Sequence, residues 1–304
     1  MGPAIPPTLT GPSGTNMGTD YFFSDKQGEQ YRNEGFVVVE RLFDSSDMAR
    51  VDATIRQMTD QALSGGDYSK ILELEPEALD GQRVPRRIFN PYDQHETFRA
   101  LAHDSRLLDK IESLIGGSFN LHHSKLNMKP AKVGSAVEWH QDMAYFPHTN
   151  DDLVTTLVYL DDATEENGCL QVLPRHHTHY FDHAGPDGRF AGMITEDLSD
   201  FGKPKSLPAP AGSVIFMHCI TPHASLPNRS SRPRRTLIYE YRANDAFPIY
   251  YGEMTNLAEA TFRLIRGKPA RFARFGGPRP LIPNVGKYTS LYDLQSRSKA
   301  EMKA

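Results

Sequence analysis

The segment Val137-Glu138-Trp139-His140-Gln141-Asp142 sets an imidazole and a carboxylate two positions apart. On an extended strand, residues i and i+2 point to the same face, so both side chains can reach one ion. A second histidine from a neighbouring strand would complete two histidines and one carboxylate on one face of an octahedron, with the other face open for a bidentate cosubstrate and oxygen. That donor set suits non-haem Fe(II). His218 and His223 are the candidates, both following the apolar run Gly212 to Met217. Alone, an H-x-D pair is a weak sign, because any strand can carry one by chance, and His218 has an ordinary alternative as a buried histidine bonded to backbone. A dicarboxylate cosubstrate such as 2-oxoglutarate needs a cation for its far end, and a guanidinium matches a carboxylate with two parallel hydrogen bonds. Arg234 and Arg235 both qualify by type. As strand neighbours they face opposite ways, so only one can point inward. The competing reading of the run Arg229 to Arg235 is a solvated edge.

These residues need a scaffold of strands. From Ser118 to about Tyr241 the chain consists of short strand-like runs parted by turn residues: LHHSKLNM, AVEWHQD, LVTTLVYL, GCLQVLP, GSVIFMH and RTLIYEYR. The connections are too short for the helix of a parallel crossover, apart from the excursion Thr178 to Leu207, so an antiparallel sandwich or barrel is expected. The fold class is mainly β with flanking helices, a jelly roll. Upstream, a helix is predicted from Ser24 to Gly35, a strand at Phe36 to Val39, and a second helix from Ser45 to the breakers Ser64, Gly65 and Gly66. A third runs over Ser105 to Ile115, with Leu107, Leu108, Ile111, Leu114 and Ile115 on one face. Residues 1–18, rich in Pro, Gly and Thr, read as a disordered arm. Residues 19–304 read as one catalytic domain with a helical N-terminal part and a C-terminal extension, and the charged tail after about Lys287 as loosely held.

Composition narrows the function. With 38% hydrophobic and 24% charged residues the chain is an ordinary globular protein, and a net charge of -4 offers no field for nucleic acid or anionic lipid. Cys169 and Cys219 lie in separate apolar segments without CxxC spacing, which argues against a disulfide framework or zinc knuckle. No run of about 20 apolar residues is present, nor a signal-peptide pattern, so no membrane association and a cytoplasmic location are expected. The remaining partner is a small-molecule substrate.

The blocks HQD, ENGCLQVLPRHH and HASLPNRSSRPRR, in this order, resemble those of the phytanoyl-CoA dioxygenase family, and the opening YRNEGFVVVERLF followed by a helix extends the likeness to roughly Tyr31 to Tyr241. The resemblance implies a double-stranded β-helix of cupin-like form using Fe(II), 2-oxoglutarate and O2 to hydroxylate or desaturate an unactivated C–H bond, with release of succinate and CO2. Carried over by position, His140, Asp142 and His223 are the iron ligands. Arg234, eleven residues after the distal histidine, matches the arginine that grips 2-oxoglutarate, with Arg235 as second choice. HHSKLNMKP resembles the matching strand of ectoine hydroxylases, a branch of the family, which puts Asn127 near the cosubstrate; similar matching puts Thr155 and Ser225 beside its carboxylates. One departure is Pro174-Arg175-His176-His177, where the family has Pro-Gly-Ser-His. Related halogenases carry a small residue in place of Asp142, so hydroxylation or desaturation is expected over halogenation. The rivals are a cupin-type metal enzyme without 2-oxoglutarate and a non-catalytic jelly-roll binding protein. Trp139, Met143, Tyr145 and Phe146 are candidates to line the substrate pocket. The loops Asn90 to His95, Met143 to Asp152 and Tyr180 to Lys205 would choose the substrate, expected to be an amino-acid-derived or secondary-metabolism molecule.

Overall fold

The computed structural model of the chain describes residues 21–65, 68–75, 83–249, 263–277 and 290–302. The N-terminal arm and much of the stretch from 250 to 289 lie outside them. Helix α1 (Asp25–Glu34) starts in a capping box between Ser24 and Gln27 and ends on Gly35 at φ 83°, a left-handed stop that turns the chain straight into β1 (Phe36–Val39). Helix α2 (Ser45–Ser64) is capped the same way by Asp44 and Asp47 and buries Met48, Val51, Ile55 and Ala62. After β2 (Leu72–Leu74) and β3 (Pro85–Phe89) come α3 (Pro91–Gln94), α4 (Glu96–Ala102) and α5 (Ser105–Ile115).

The strands predicted from the sequence form the centre: β4 (Phe119–Lys129), β5 (Val137–His140), β6 (Leu153–Tyr159), β7 (Leu170–Val172), β9 (Val214–His218) and β11 (Arg234–Ala243). Between and beyond them lie β8 (Lys205–Ser206), β10 (His223–Ser225) and β12 (Arg263–Arg266). One sheet runs β1-β9-β6-β11-β4-β3-β2 with β12 added beside β4; the other runs β5-β10-β7-β8, and the pairings are antiparallel. This is the jelly roll expected from the sequence.

Two apolar layers follow from the period-2 alternation of the large sheet. One face packs Leu126, Val154, Phe216, Leu237, Tyr239 and Tyr241 against the helices. There the Tyr239 and Tyr241 hydroxyls donate to the carbonyls of Phe98 and Ala102 at 2.6 and 2.8 Å, tying α4 to β11. The other face turns Leu157, Tyr159, Ile215, Met217 and Ile238 toward Leu170 and Val172 of the small sheet. Residues of β11 in phase with Ile238, namely Arg234, Thr236, Glu240 and Arg242, therefore share the inner side.

One detail departs from expectation. The charged tail is not loosely held: helix α6 (Leu291–Glu301) docks with Leu294, Gln295 and Ser298 buried, and Lys299 pairs with Glu138 on β5 at 2.5 Å. Its charges sit on the outer side, so composition hid a short apolar and amide footing. At the turn where the family has glycine, Arg175 adopts φ 69°, a left-handed conformation. Among the described residues no helix is long and apolar enough to cross a membrane.

Candidate metal and cosubstrate site

Strands β5 and β10 pair side by side with His140 opposite His223, and the two rings lie 4.0 Å apart between centroids. Each donates from Nδ1 to the carbonyl two residues earlier, His140 to Glu138 at 2.8 Å and His223 to Thr221 at 3.0 Å. That bond fixes the tautomer and leaves the Nε2 lone pair free, the arrangement a metal-binding histidine needs. Asp142 lies just past the end of β5, at the head of a short 3-10 turn; Gln141 remains extended, so the same-face relation to His140 survives. Asp142 Oδ1 is 3.9 Å from His140 Nε2 and 3.7 Å from His223 Nε2. Two donors each about 2.1 Å from one ion are at most about 4.2 Å apart, so this spacing fits a shared metal. Among the described residues this is the one group of histidine, cysteine and acidic side chains so arranged.

Electrostatics favour the same state. Burial drives His140 well below the usual histidine range, assisted by His223, and burial also lowers His223, so both rings are neutral. Burial alone would raise the Asp142 carboxyl, but His223, Lys125, His140 and the Thr155 hydroxyl outweigh it and hold it below the ordinary value. The result is a carboxylate between two neutral imidazoles.

His218 is separate. It ends β9 near Tyr31 and His177, with Nδ1 accepting from the Ile220 amide at 3.2 Å. Thr155, read from the sequence as a cosubstrate contact, donates its hydroxyl to Asp142 Oδ2 at 2.6 Å, which leaves Oδ1 facing the histidines.

The two arginines divide as neighbours on a strand must. Arg235 faces out, joined to Asp161 at 2.7 Å and to Asp52 of α2 at 2.5 Å. Arg234 is buried, donating to Thr236 Oγ1 at 2.7 Å and to the Gly168 carbonyl at 2.6 Å, while its Nε has no hydrogen-bond partner. Among the described residues no carboxylate pairs with it. A sealed guanidinium without an anion is costly, and a carboxylate arriving there would relieve that cost. Lys129, its register partner on β4, is also buried; desolvation, with help from Arg234, pulls its pKa down to about 6. Its Nζ donates to the carbonyls of Ser225 and Leu226. Asn127 lies opposite Thr236 and accepts from Arg87 Nε at 3.2 Å.

Tyr145 stands edge-on to His140, with centroids 5.5 Å apart, and its hydroxyl donates to the Gly192 carbonyl. Met143 is packed with Leu153, Cys219 and Ile220. Of the adjacent histidines, His122 is buried against Phe146 and His148, and His123 is the one opposite Glu240. Sequence reading missed Lys125 and Glu240, which are 3.1 Å apart inside the barrel. Their signal was the alternation of β11 itself, which sets Glu240 in phase with Arg234.

Residues 31–236, more than half of the chain, match the family model for phytanoyl-CoA dioxygenase (PhyH). The chain belongs to the phytanoyl-CoA dioxygenase family. This phytanoyl-CoA dioxygenase relative is 30% identical to a probable alpha-ketoglutarate-dependent hypophosphite dioxygenase of Stutzerimonas stutzeri, across 83% of its own length and 89% of that protein. It is also 30% identical to the L-proline trans-4-hydroxylase of Streptomyces griseoviridis, over 56% of this chain and 72% of the other. Among solved structures, EctD from S. alaskensis with 2-oxoglutarate and 5-hydroxyectoine superposes with TM-score 0.65 at 23% identity, covering 89% and 92% of the two chains; that likeness carries the fold. As a member of the family with its three-residue donor set present, the protein is a non-haem Fe(II), 2-oxoglutarate-dependent dioxygenase with O2 as second cosubstrate.

Proposed function

We propose that this dioxygenase hydroxylates a C–H bond of a small polar metabolite in the cytoplasm, with residues 19–304 acting as one catalytic unit. Iron is held by His140 Nε2, His223 Nε2 and Asp142 Oδ1, and Thr155 keeps Asp142 in register through Oδ2. Arg234, with Lys129, Ser225 and Asn127 around it, receives the far carboxylate of 2-oxoglutarate. The observation that carries the reading is the buried Arg234 guanidinium, whose Nε lacks a partner on the same inner side as the metal-binding group. The chemistry supplied by bound iron and 2-oxoglutarate is the activation of O2 with loss of succinate and CO2. The protein's own part is to fix the open face, exclude water and hold the substrate. Two buried, unpaired cysteines suit a reducing compartment. The C-terminal extension belongs to the unit through β12 on β4 and through α6 on β5.

The test is an anaerobic titration of metal-free protein with Fe(II) and then 2-oxoglutarate, following the visible charge-transfer band of the chelate. Wild type should give the band, and His223→Ala should lose it. Arg234→Ala should need on the order of 100-fold more 2-oxoglutarate, the cost of removing a buried charged hydrogen-bond partner. Iron binding without a band would favour a cupin-type enzyme that uses no 2-oxoglutarate.

A further inference from the structure

Strand β11 carries two charged groups into the barrel that are useful to a ligand, and Arg234 is only one of them. Glu240 lies six residues further on, about 20 Å along an extended strand. It is directly opposite Thr155, the residue bonded to Asp142. Glu240 is only 2% exposed, and neither of its oxygens accepts a hydrogen bond. Lys125 Nζ forms an ion pair with Oε1 at 3.1 Å. Lys125 also faces Asp142 closely enough for each charge to stabilise the other. A buried ion pair offsets its desolvation only when its remaining lone pairs and protons are satisfied, and the lone pairs of Glu240 are not. Because the cosubstrate occupies the Arg234 end, the Glu240 end is left for another molecule beside the metal.

We propose that Lys125 and Glu240 are the substrate-reading pair, and that the substrate is a small zwitterion whose protonated amine or amidinium nitrogen docks on Glu240 and whose carboxylate docks on Lys125. This rests on the dioxygenase reading above and names the substrate class it leaves open. An adjacent acid and base, the acid with no hydrogen bond on either oxygen, match a molecule that carries both charges within a few bonds. A bare oxyanion would meet Lys125 but leave Glu240 unsatisfied and repelled. The position opposite Thr155 places the bound molecule next to the metal carboxylate, so carbons close to the zwitterion's own charged groups are the ones presented for oxidation.

The test uses the anaerobic Fe(II)–2-oxoglutarate complex of the full chain and a panel of the standard L-amino acids, ectoine, their carboxamides and N-trimethylated forms, and hypophosphite. The expected result is that at least one zwitterion perturbs the chelate band and accelerates succinate release in air, whereas its carboxamide and N-trimethylated counterparts do not. Glu240→Gln should still form the chelate, which also reports that it folds, and Glu240→Gln and Lys125→Met should each raise the KM for that zwitterion at least tenfold. The proposal is overturned if the band forms and no zwitterion perturbs it, if hypophosphite alone does, or if the two variants leave the zwitterion's KM unchanged. Absence of the band in wild type overturns the dioxygenase reading, and this one with it.

Discussion

At Asp142 one carboxylate serves two partners: Oδ2 takes the Thr155 hydroxyl at 2.6 Å, and Oδ1 faces both histidines. Groups that orient a metal-binding side chain typically contribute a factor of about 10–100 in metal affinity. Thr155→Val keeps the shape and removes the donor, so Fe(II) affinity should fall by about that factor while the far-carboxylate end of 2-oxoglutarate binding is spared. Competition with a metal-binding dye against separate 2-oxoglutarate titration would show it. Arg235 offers the contrasting case. Its two carboxylate partners tie β11 to α2 on the outside of the sheet, with the side chain 18% exposed. Arg235→Ala should therefore cost on the order of 1–3 kcal/mol in urea unfolding and leave the 2-oxoglutarate requirement unchanged. Which of the two arginines points inward was undecidable from strand alternation alone, because alternation gives opposite faces without saying which face is buried. The deciding facts, Asp52 and Asp161 waiting outside, come from elements far away in sequence.

At the level of elements, the sequence revealed those whose hydrophobic period was long or clean. Helix α5 has the predicted bounds, Ser105–Ile115, and the predicted strands include those that carry His140, Thr155 and Arg234. What stayed hidden was short or locally unmarked. Strand β10 has three residues and owes its conformation to pairing with β5 and β7; β3 brings Arg87 to Asn127 through a register no local pattern encodes. Helix α6 was read as a tail because its apolar contribution is little more than Leu294. It reaches the site indirectly: Leu294 packs on Gly192, Gln295 Nε2 donates to the Gly192 carbonyl at 2.8 Å, and that carbonyl also receives the Tyr145 hydroxyl beside His140. Gly192 has φ 70°, and a Cβ there would stand 2.7 Å from Leu294 Cδ2. Gly192→Ala should thus strain the turn, lift α6 and loosen Tyr145. A loss of about 1–3 kcal/mol in thermal unfolding is expected, together with a lower succinate yield per O2-exposed chelate. Unchanged yield with lowered stability would mean that α6 serves only as a cover.

For the molecule as a whole, the buried histidines outside the metal group set a pH limit. Burial takes His218 and His183 down to about 4 and His148 to about 3, against an ordinary value of 6.5. For His218, Asp151 acts against burial and His177 with it; for His183, the Phe181 carbonyl and Asp182 act against it; for His148, the Phe146 carbonyl acts against it and Arg242 with it. All three are neutral in the folded chain at pH 6.5, while the unfolded chain binds protons on them below that point. More protons bound in the unfolded state means stability rises with pH, so the contribution is complete above about pH 6.5 and drains away as pH falls through 4. Each group can account for on the order of 1–3 kcal/mol across that window. Metal-free protein, in which no ligand exchange intrudes, should therefore show a Tm that is flat above pH 7 and falls steadily from pH 6.5 to 4.5. His218→Asn retains an acceptor for the Ile220 amide but cannot protonate, and should flatten part of that fall. The consequence reaches the metal centre, because His218 leads into the loop in which Thr221 Oγ1 donates to the Gly35 carbonyl at 2.8 Å and the Thr221 carbonyl holds His223 Nδ1. Acid should accordingly weaken Fe(II) binding in wild type more than direct proton competition at the histidine ligands requires, and the excess should shrink in His218→Asn. An identical pH dependence of iron affinity in the two proteins would show that the loop is insulated from the packing beneath α1.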